Sequence, residues 1–138
     1  MRVFIDANVL FGAFAFPGGV CDKALTSCMY LEQEVLISDY VLERVRNTLR
    51  RIVPEYLFRF DAFLSKIDFI RISSTSAVVA LPISLRDQKD ESILRDAIAG
   101  HADVILTGEK DFLESGLTYP RPIHPAEFIN QIKKGAQQ

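Results

Sequence analysis

Short runs of apolar residues alternate with amphipathic stretches along most of this chain. Runs rich in β-branched and aromatic residues predict buried strands, and they occupy positions 3–5, 35–37, 69–72 and 104–106. Apolar residues at helical spacing predict helices near positions 22–31, 40–52, 56–67, 91–99 and 126–133. Strands that alternate with helices in this way predict an α/β fold built on a parallel sheet.

Polar residues, glycine and proline mark the expected ends of several helices. Asp22 is expected to cap the first helix, and either Ser38 or Asp39 the second. Gly100 is well placed to stop the helix that precedes it, and Pro125 suits the first turn of the last helix. The polar positions 73–76 predict a loop.

Length and composition indicate an ordinary globular protein. The chain has 138 residues, so we expect one domain over 1–138, with positions 134–138 as a solvated tail. Hydrophobic residues make up 49% and charged residues 25%, which is typical of soluble domains. The net charge of -2 means that any nucleic-acid contact must depend on a local basic patch.

The sequence contains no strong signal for membrane insertion, secretion or zinc binding. No apolar run approaches the roughly 18 residues that a membrane span requires. Positions 9–16 are apolar enough to suggest a signal peptide, but Asp6 and Asn8 precede them and no convincing cleavage site follows, so we expect a cytoplasmic protein. Cys21 and Cys28 are expected to be small buried apolar residues, and no Cys/His pattern suggests zinc.

Acidic residues lie where the predicted strands end or helices begin. Asp6 follows the first apolar run, Asp90 begins a helix, and Glu109 and Asp111 follow the last predicted strand. In parallel sheets, ligands bind outside the carboxyl ends of the strands. An unpaired buried carboxylate costs several kcal/mol, and a divalent metal is the usual way to keep such a cluster ionised. The pattern therefore predicts a metal-dependent enzyme.

Four stretches together resemble the PIN-domain family, and most closely its VapC-like toxin branch. They are Phe-Ile-Asp-Ala-Asn-Val-Leu (4–10), Ile-Ser-Asp-Tyr-Val-Leu-Glu-Arg-Val (37–45), Arg-Asp-Gln-Lys-Asp-Glu-Ser-Ile-Leu (86–94) and Ala-Asp-Val-Ile-Leu-Thr-Gly-Glu-Lys-Asp-Phe-Leu (102–113). The resemblance implies a three-layer fold with a mostly parallel sheet of four to five strands flanked by helices. It also implies a Mg²⁺- or Mn²⁺-dependent ribonuclease that is dimeric and inhibited by a protein antitoxin.

The resemblance also assigns expected roles to individual residues. Asp6 and Asp90 match acids that hold the metal, and Asp90 could cap its helix at the same time. Asn8 is expected to position a water or a phosphate, or else to cap a helix locally. Thr107 is expected to hydrogen-bond the acid cluster or a metal-bound water. Asp87 is expected to be solvated.

One departure from the family pattern concerns the fourth acid. Relatives carry Thr-Gly-Asp where this chain has Thr107-Gly108-Glu109. Glutamate moves the charge by roughly 1.5 Å, a scale on which active-site placement matters. We expect Glu109 to serve as the fourth acid and metal ligand, with Asp111 in support.

A second departure lies on the helix after the second strand. Relatives have an acid where this chain has Arg44, and Glu43 stands one residue earlier, which rotates it by about 100° around the helix. Either Glu43 reaches the site as a catalytic acid, or Arg44 fills the place, where it would partly neutralise the acids, lower metal affinity or grip a phosphate.

RNA contacts and partners are predicted from basic and aromatic residues. Arg44, Arg46, Arg50 and Arg51 lie on one predicted helix, and the first three are our candidates for phosphate contacts. The 10 Phe and 4 Tyr are many for this length, so some are expected to form a dimer or antitoxin groove, unless all lie in the core.

Three other functions compete with the toxin-type endoribonuclease. A degenerate PIN domain would bind RNA or a protein without cutting, and Arg44 and Glu109 favour it. A phosphatase with an aspartyl nucleophile at Asp6 would want a second Asp where Asn8 stands. A flavodoxin-like nucleotide-binding module would need a glycine-rich phosphate loop, which the chain lacks.

Overall fold

A parallel β-sheet forms the centre of this protein. The computed structural model describes residues 1–74 and 80–136. Its strands are β1 (Arg2–Ile5), β2 (Glu34–Ser38), β3 (Ile70–Ile72), β4 (Val104–Leu106) and β5 (Arg121–Ile123). They form a 5-stranded sheet in the order β3-β2-β1-β4-β5, and every pairing is parallel.

Helices connect these strands and flank the sheet. The helices of the described residues are α1 (Ala7–Ala15), α2 (Val20–Tyr30), α3 (Asp39–Ile52), α4 (Leu57–Ser65), α5 (Gln88–Ala99), α6 (Lys110–Leu113) and α7 (Pro125–Ala136), with a 3₁₀ turn at Pro54–Tyr56. This arrangement confirms the predicted α/β class and the parallel sheet. The predicted loop at 73–76 falls partly outside the described residues.

The central strands are buried beyond their first residues, which explains why they could be predicted. Phe4 and Ile5 of β1 have no exposed surface, and neither do Leu36 of β2 and Ile105 of β4. A parallel strand covered on both faces reads as a continuous apolar run. These strands therefore stand out in the sequence.

The strand order reverses beside β1. From β1 the chain moves to β2 and β3 on one side, and it later returns to add β4 and β5 on the other. The backbone N–H of Asp6 donates to the carbonyl of Leu106 at 3.0 Å, just beyond the ends of β1 and β4. In open α/β sheets a ligand crevice forms at such a reversal.

Helix α3 is strongly amphipathic and capped at both ends. Ser38 Oγ accepts a hydrogen bond from the backbone N–H of Val41 at 3.2 Å, so Ser38 is the N-cap and Asp39 is the first helical residue. Arg50 and Arg51 lie in the last turn, where positive charge favours the helix dipole. The apolar face of α3 is buried against the rest of the domain.

Helix α1 was not predicted from the sequence. Its nine residues are apolar on nearly every side, because α1 packs against both α2 and α3. That leaves no polar face to reveal helical spacing. The N-cap is Asp6, and Asn8 lies inside the helix. The expectation that Asn8 caps a helix was therefore wrong.

Strand β5 also escaped prediction, because Pro122 interrupts its short sequence. Proline cannot donate a ladder hydrogen bond, so it is confined to edge strands and strand starts. Strand β5 is the last strand on its side of the sheet, where this loss is tolerated.

Two predicted helix ends need correction, and one is confirmed. Helix α2 begins at Val20, so Asp22 lies within its first turn and accepts from the backbone N–H of Gly18 at 2.8 Å. Helix α7 begins at Pro125, as predicted, but extends to Ala136, so residues 134–136 are helical rather than a loose tail. Among the helices described, none is long and apolar enough to cross a membrane.

Both cysteines are free thiols, as expected of apolar packing residues. Cys28 is buried and Cys21 is partly buried. Burial raises the pKa of the Cys28 thiol to about 12, which keeps it protonated and unreactive.

Candidate functional site

Asp6 occupies the strand-order reversal and is held by hydrogen bonds to both carboxylate oxygens. Oδ1 accepts from the backbone N–H of Ala7 at 2.7 Å, and Oδ2 accepts from the hydroxyl of Thr107 at 2.7 Å. Only 2% of Asp6 is exposed. The end of β1 therefore presents one carboxylate in a fixed orientation.

Thr107 links Asp6 to the next acid. Its side chain is fully buried, and its hydroxyl oxygen also accepts from the backbone N–H of Glu109 at 3.1 Å. The side-chain amide of Asn8 donates to Glu109 Oε1. Thr107 and Asn8 thus both hold Glu109 in place. The structure brings Asp6, Asn8, Thr107 and Glu109 together.

Asp90 joins the cluster from the start of α5. Asp87 is the N-cap of α5 and accepts from the backbone N–H of Lys89 at 2.9 Å. Asp90 lies in the first turn and is 7% exposed. Asp87 thus takes the capping role that was one expectation for Asp90.

The acids influence one another's protonation. Burial is the largest cause that raises the pKa of Asp90, and the carboxylates of Asp6, Asp87, Glu109 and Asp111 add to the rise in that order, so that the pKa is about 6. A raised acid pKa means that burial and nearby negative charge disfavour the ionised form. Asp111 contributes from the first turn of α6, where its side chain is exposed.

Arg44, rather than Glu43, lies beside Asp6. Burial raises the pKa of Asp6, while the bonds from Thr107 and Ala7 and the charge of Arg44 oppose that rise. Glu43 is exposed and forms an ion pair with Arg50 at 3.0 Å. The structure therefore does not bring Glu43 into the acid cluster, and the rotation of one helical position decides which side chain faces it.

The other two predicted RNA contacts are also ion-paired on α3. Arg46 pairs with Asp61 of α4 at 3.0 Å, and Arg50 pairs with Glu43. Arg44 is separated from them by about 200° and 240° around the helix. Of the three arginines predicted to bind RNA, only Arg44 is therefore placed with the acids.

Comparisons with known proteins show the family and the fold of this chain. The sequence profile of the PIN domain family matches residues 2–111. The chain belongs to the PIN-domain family. A chain in the crystal structure of VapBC2 from Rickettsia felis bound to a promoter DNA fragment is similar in fold, with a TM-score of 0.66 and 15% sequence identity. The match covers 90% of this PIN domain and 98% of that chain. No curated protein was found to match the sequence.

The acids of this PIN domain suit a hard divalent cation in their chemistry. Mg²⁺ and Mn²⁺ prefer carboxylate and carbonyl oxygens, and the pKa of Asp90 is raised by burial and by the carboxylates around it. Within residues 1–74 and 80–136, no three His, Cys, Asp or Glu side chains are close enough to form a ready-made metal site. The acids are of the right chemical type to bind such a cation, but in the described residues their side chains do not lie close enough together to form a complete site.

A cavity near the acids contains two residues, Thr48 and Arg51, that were not predicted to belong to the site. It lies between α1 and α3 and is lined in part by Asn8, Arg44, Thr48 and Arg51. Arg44 and Arg51 are seven residues apart, which places them on one face of the helix after almost two turns. The seven-residue spacing could have revealed in the sequence that Arg44 and Arg51 share a face. Arg46 and Arg50 lie between them and were predicted to contact RNA instead.

Proposed function

We propose that this PIN domain is a metal-dependent endoribonuclease and the toxin of a prokaryotic toxin–antitoxin pair that acts in the cytoplasm. One observation carries the proposal. Asp6, Asp90 and Glu109 come from three separate elements near the strand-order reversal, where Asp90 is buried and its pKa is raised by burial and by the charges of the other two acids. A stable fold gains nothing from such a cluster of like charges, whereas a cation site requires it.

The proposed reaction is hydrolysis of an RNA phosphodiester. A water oxygen bonds to phosphorus, one P–O bond to ribose breaks, and a proton passes to the departing oxygen. Asp6, Asp90 and Glu109 would hold Mg²⁺ or Mn²⁺, with Asp111 at the rim. When bound, the ion supplies positive charge against the extra negative charge on the phosphoryl group.

The protein's own side chains orient the acids for this task. Thr107 and the Ala7 backbone fix the two oxygens of Asp6, and Asn8 holds Glu109. Arg44 places a permanent cation beside Asp6. Its charge is suited to a phosphoryl oxygen of the substrate, since guanidinium groups bind phosphate in a fork-like geometry.

Cleavage of a mixed-sequence single-stranded RNA tests the proposal. Purified protein is assayed in Mn²⁺ or Mg²⁺ and in EDTA, beside Asp6→Asn and Asp90→Asn. Asp87→Asn is the matched control, since Asp87 is an exposed carboxylate three residues from Asp90. We expect metal-dependent cleavage in wild type and Asp87→Asn that is lost in the other two. Equal cleavage by Asp6→Asn would sink the proposal.

The second candidate function is an RNA- or protein-binding module that does not cut. The observation in its favour is Arg44, whose charge lies where a cation would otherwise be needed. Mn²⁺ binding measured by calorimetry separates the two functions. A folded protein that binds RNA but shows no Mn²⁺ affinity would support the binding module.

We propose that the antitoxin binds in an apolar groove. Between α1 and the α3–α4 turn lies a groove lined partly by Phe11, Phe14, Val53 and Tyr56. Its polar rim includes Arg59. The similarity in fold to a chain of a VapBC2 assembly supports such a partner. An apolar peptide segment with an acidic residue would suit this lining.

The aromatic residues divide between core and surface. Phe60 is fully buried and packs edge-on against Phe14, with ring centroids 5.3 Å apart. Phe58 and Phe16 are 83% and 67% exposed. We propose that such exposed rings contribute to a homodimer. Sedimentation velocity over a concentration series, with Phe58→Asp as the variant, tests this.

A further inference from the structure

The cavity between α1 and α3 combines cationic, polar and apolar walls. It measures about 370 Å³ and is lined by Asn8, Phe11, Arg44, Thr48, Arg51 and Ile52, together with Ala7 and Val45. Small-molecule sites begin near this volume, at about 300 Å³. The cavity is therefore large enough for one nucleotide unit.

The two arginines of this cavity differ from the others on α3. Among the described residues, neither Arg44 nor Arg51 has a carboxylate within ion-pair distance, while Arg46 and Arg50 are each paired. Arg44 is steadied instead by the ring of Tyr40, whose centroid lies 5.9 Å from the guanidinium carbon. Two unpaired guanidinium groups that face one cavity favour an anionic ligand.

The cavity adjoins the acid cluster through Ala7 and Asn8. Ala7 follows the metal-ligand candidate Asp6 in the chain, and Asn8 both lines the cavity and donates to Glu109. If the scissile phosphate of an RNA strand lies at the acids, a neighbouring nucleotide of the same RNA therefore reaches this cavity. Like-charge repulsion from the acids makes a nearby cationic contact necessary for such a strand.

Apolar surface lies next to the cations. The ring of Phe11 is partly exposed, and Ile52 is 61% exposed although it belongs to the apolar stripe of α3. Bases of single-stranded nucleic acids stack on aromatic side chains, with about 1–3 kcal/mol per base. A duplex hides the faces of its bases, so this wall favours a single strand.

We infer that Arg44 and Arg51 form a phosphate subsite for single-stranded RNA next to the acid cluster, with Phe11 as the stacking surface for the adjoining base. The inference rests on the proposed function for its choice of substrate, and it adds Arg51 and Phe11 to the RNA-binding residues. Arg50, which is turned by about 100° from Arg51 around the helix and forms an ion pair with Glu43, is assigned no RNA contact.

The test measures binding separately from cleavage. A fluorescein-labelled 12-nucleotide single-stranded RNA is titrated with protein in EDTA, and fluorescence anisotropy is read over a series of salt concentrations. Arg51→Gln is compared with Arg50→Gln as the matched control. We expect Arg51→Gln to weaken binding about 3- to 10-fold and to flatten the dependence of log K on log salt by about 0.7, the loss of one phosphate contact. Thermal unfolding checks that both variants fold.

Each outcome decides the inference. Unchanged affinity in Arg51→Gln, or an equal loss in Arg50→Gln, overturns the subsite. A poly-glutamate peptide of matched charge is the competitor, and displacement of RNA at equal concentration would assign the cavity to an acidic protein segment instead. The wild-type protein could fail to cut RNA in Mn²⁺ while Arg51→Gln, but not Arg50→Gln, weakens RNA binding. In that case the subsite stands and the nuclease proposal falls.

Discussion

At the residue scale, Asp90 lies in an environment that disfavours its ionised form. It is nearly buried, and four other carboxylates raise its pKa. Within the described part of the chain, no lysine or arginine forms an ion pair with it. Its ionised form therefore destabilises the metal-free fold, which is what a site prepared for a cation requires.

The pH dependence of stability follows from this pKa. The folded pKa of about 6 exceeds the ordinary value of 3.8, so the folded state binds the proton more tightly than the unfolded state does. This contribution to stability is fully present below pH 3.8 and is lost as the pH rises through 6. We expect Asp90→Asn to raise the free energy of unfolding at pH 7.5 by up to about 3 kcal/mol.

Urea unfolding without metal at pH 7.5 and pH 4 checks this expectation. The gain in Asp90→Asn should shrink at the lower pH, because wild-type Asp90 is then protonated too. Asp68→Asn serves as control, since Asp68 is exposed and is not among the carboxylates that raise the pKa of Asp90. A variant less stable than wild type at pH 7.5 would contradict the proposed cause.

Arg44 is expected to weaken metal binding. Its positive charge lies beside Asp6, and a cation held by that carboxylate would be repelled. Arg44→Gln should therefore bind Mn²⁺ about 10-fold more tightly than wild type, which corresponds to about 1.4 kcal/mol. Calorimetric titration measures the affinity, and Arg50→Gln should match wild type. Equal affinity in Arg44→Gln would show that Arg44 does not oppose the metal.

At the scale of elements, Thr107 joins three parts of the fold. It directly follows β4, donates to Asp6 at the end of β1, and accepts from the backbone of Glu109 at the start of α6. A buried hydroxyl with two partners orients both acids at once. The loop after β4 therefore depends on the side chain of one residue.

Thr107→Val tests this link with little change in shape. Removal of the hydroxyl leaves a buried oxygen of Asp6 without one donor, so we expect a loss of about 1–3 kcal/mol in the free energy of unfolding. RNA cleavage should fall in the same variant, because Asp6 and Glu109 lose their orientation. Thr107→Ser should recover most of both. Cleavage that is unchanged in Thr107→Val would remove Thr107 from the site.

The elements also show which parts of the fold are visible in the sequence. Two kinds of pattern can be recognised in the sequence. The buried strands β1, β2 and β4 are continuous apolar runs, and the amphipathic helix α3 has apolar residues at a spacing of 3.6. Helix α1 and strand β5 follow neither pattern, because α1 is apolar all round and β5 contains Pro122. Their identity depends on neighbours that only the folded chain supplies.

The candidate site divides in the same way. Asp6 and Thr107 could be predicted, because a residue that follows a buried parallel strand must lie at its carboxyl edge. The choice between Glu43 and Arg44 could not, since a shift of one position turns a helical side chain by about 100°. Only the packing of α3 decides it, and this places Arg44 by the acids.

At the scale of the whole molecule, net charge opposes a general attraction to RNA. The chain has 16 basic and 18 acidic residues, and four arginines are taken up by ion pairs within the described residues. RNA must therefore be held by a few cations near the acid cluster. Affinity then depends only weakly on salt.

This predicts the salt dependence of wild-type binding. Two or three phosphate contacts on a single strand give a slope of log K against log salt between about -1.4 and -2.1. Anisotropy titrations in EDTA from low to moderate salt measure the slope, and Arg50→Gln should leave it unchanged. A slope steeper than about -3 would reveal a wider basic surface. A flat response would mean that stacking on Phe11 outweighs the arginines, and RNA would then be held by its bases rather than its phosphates.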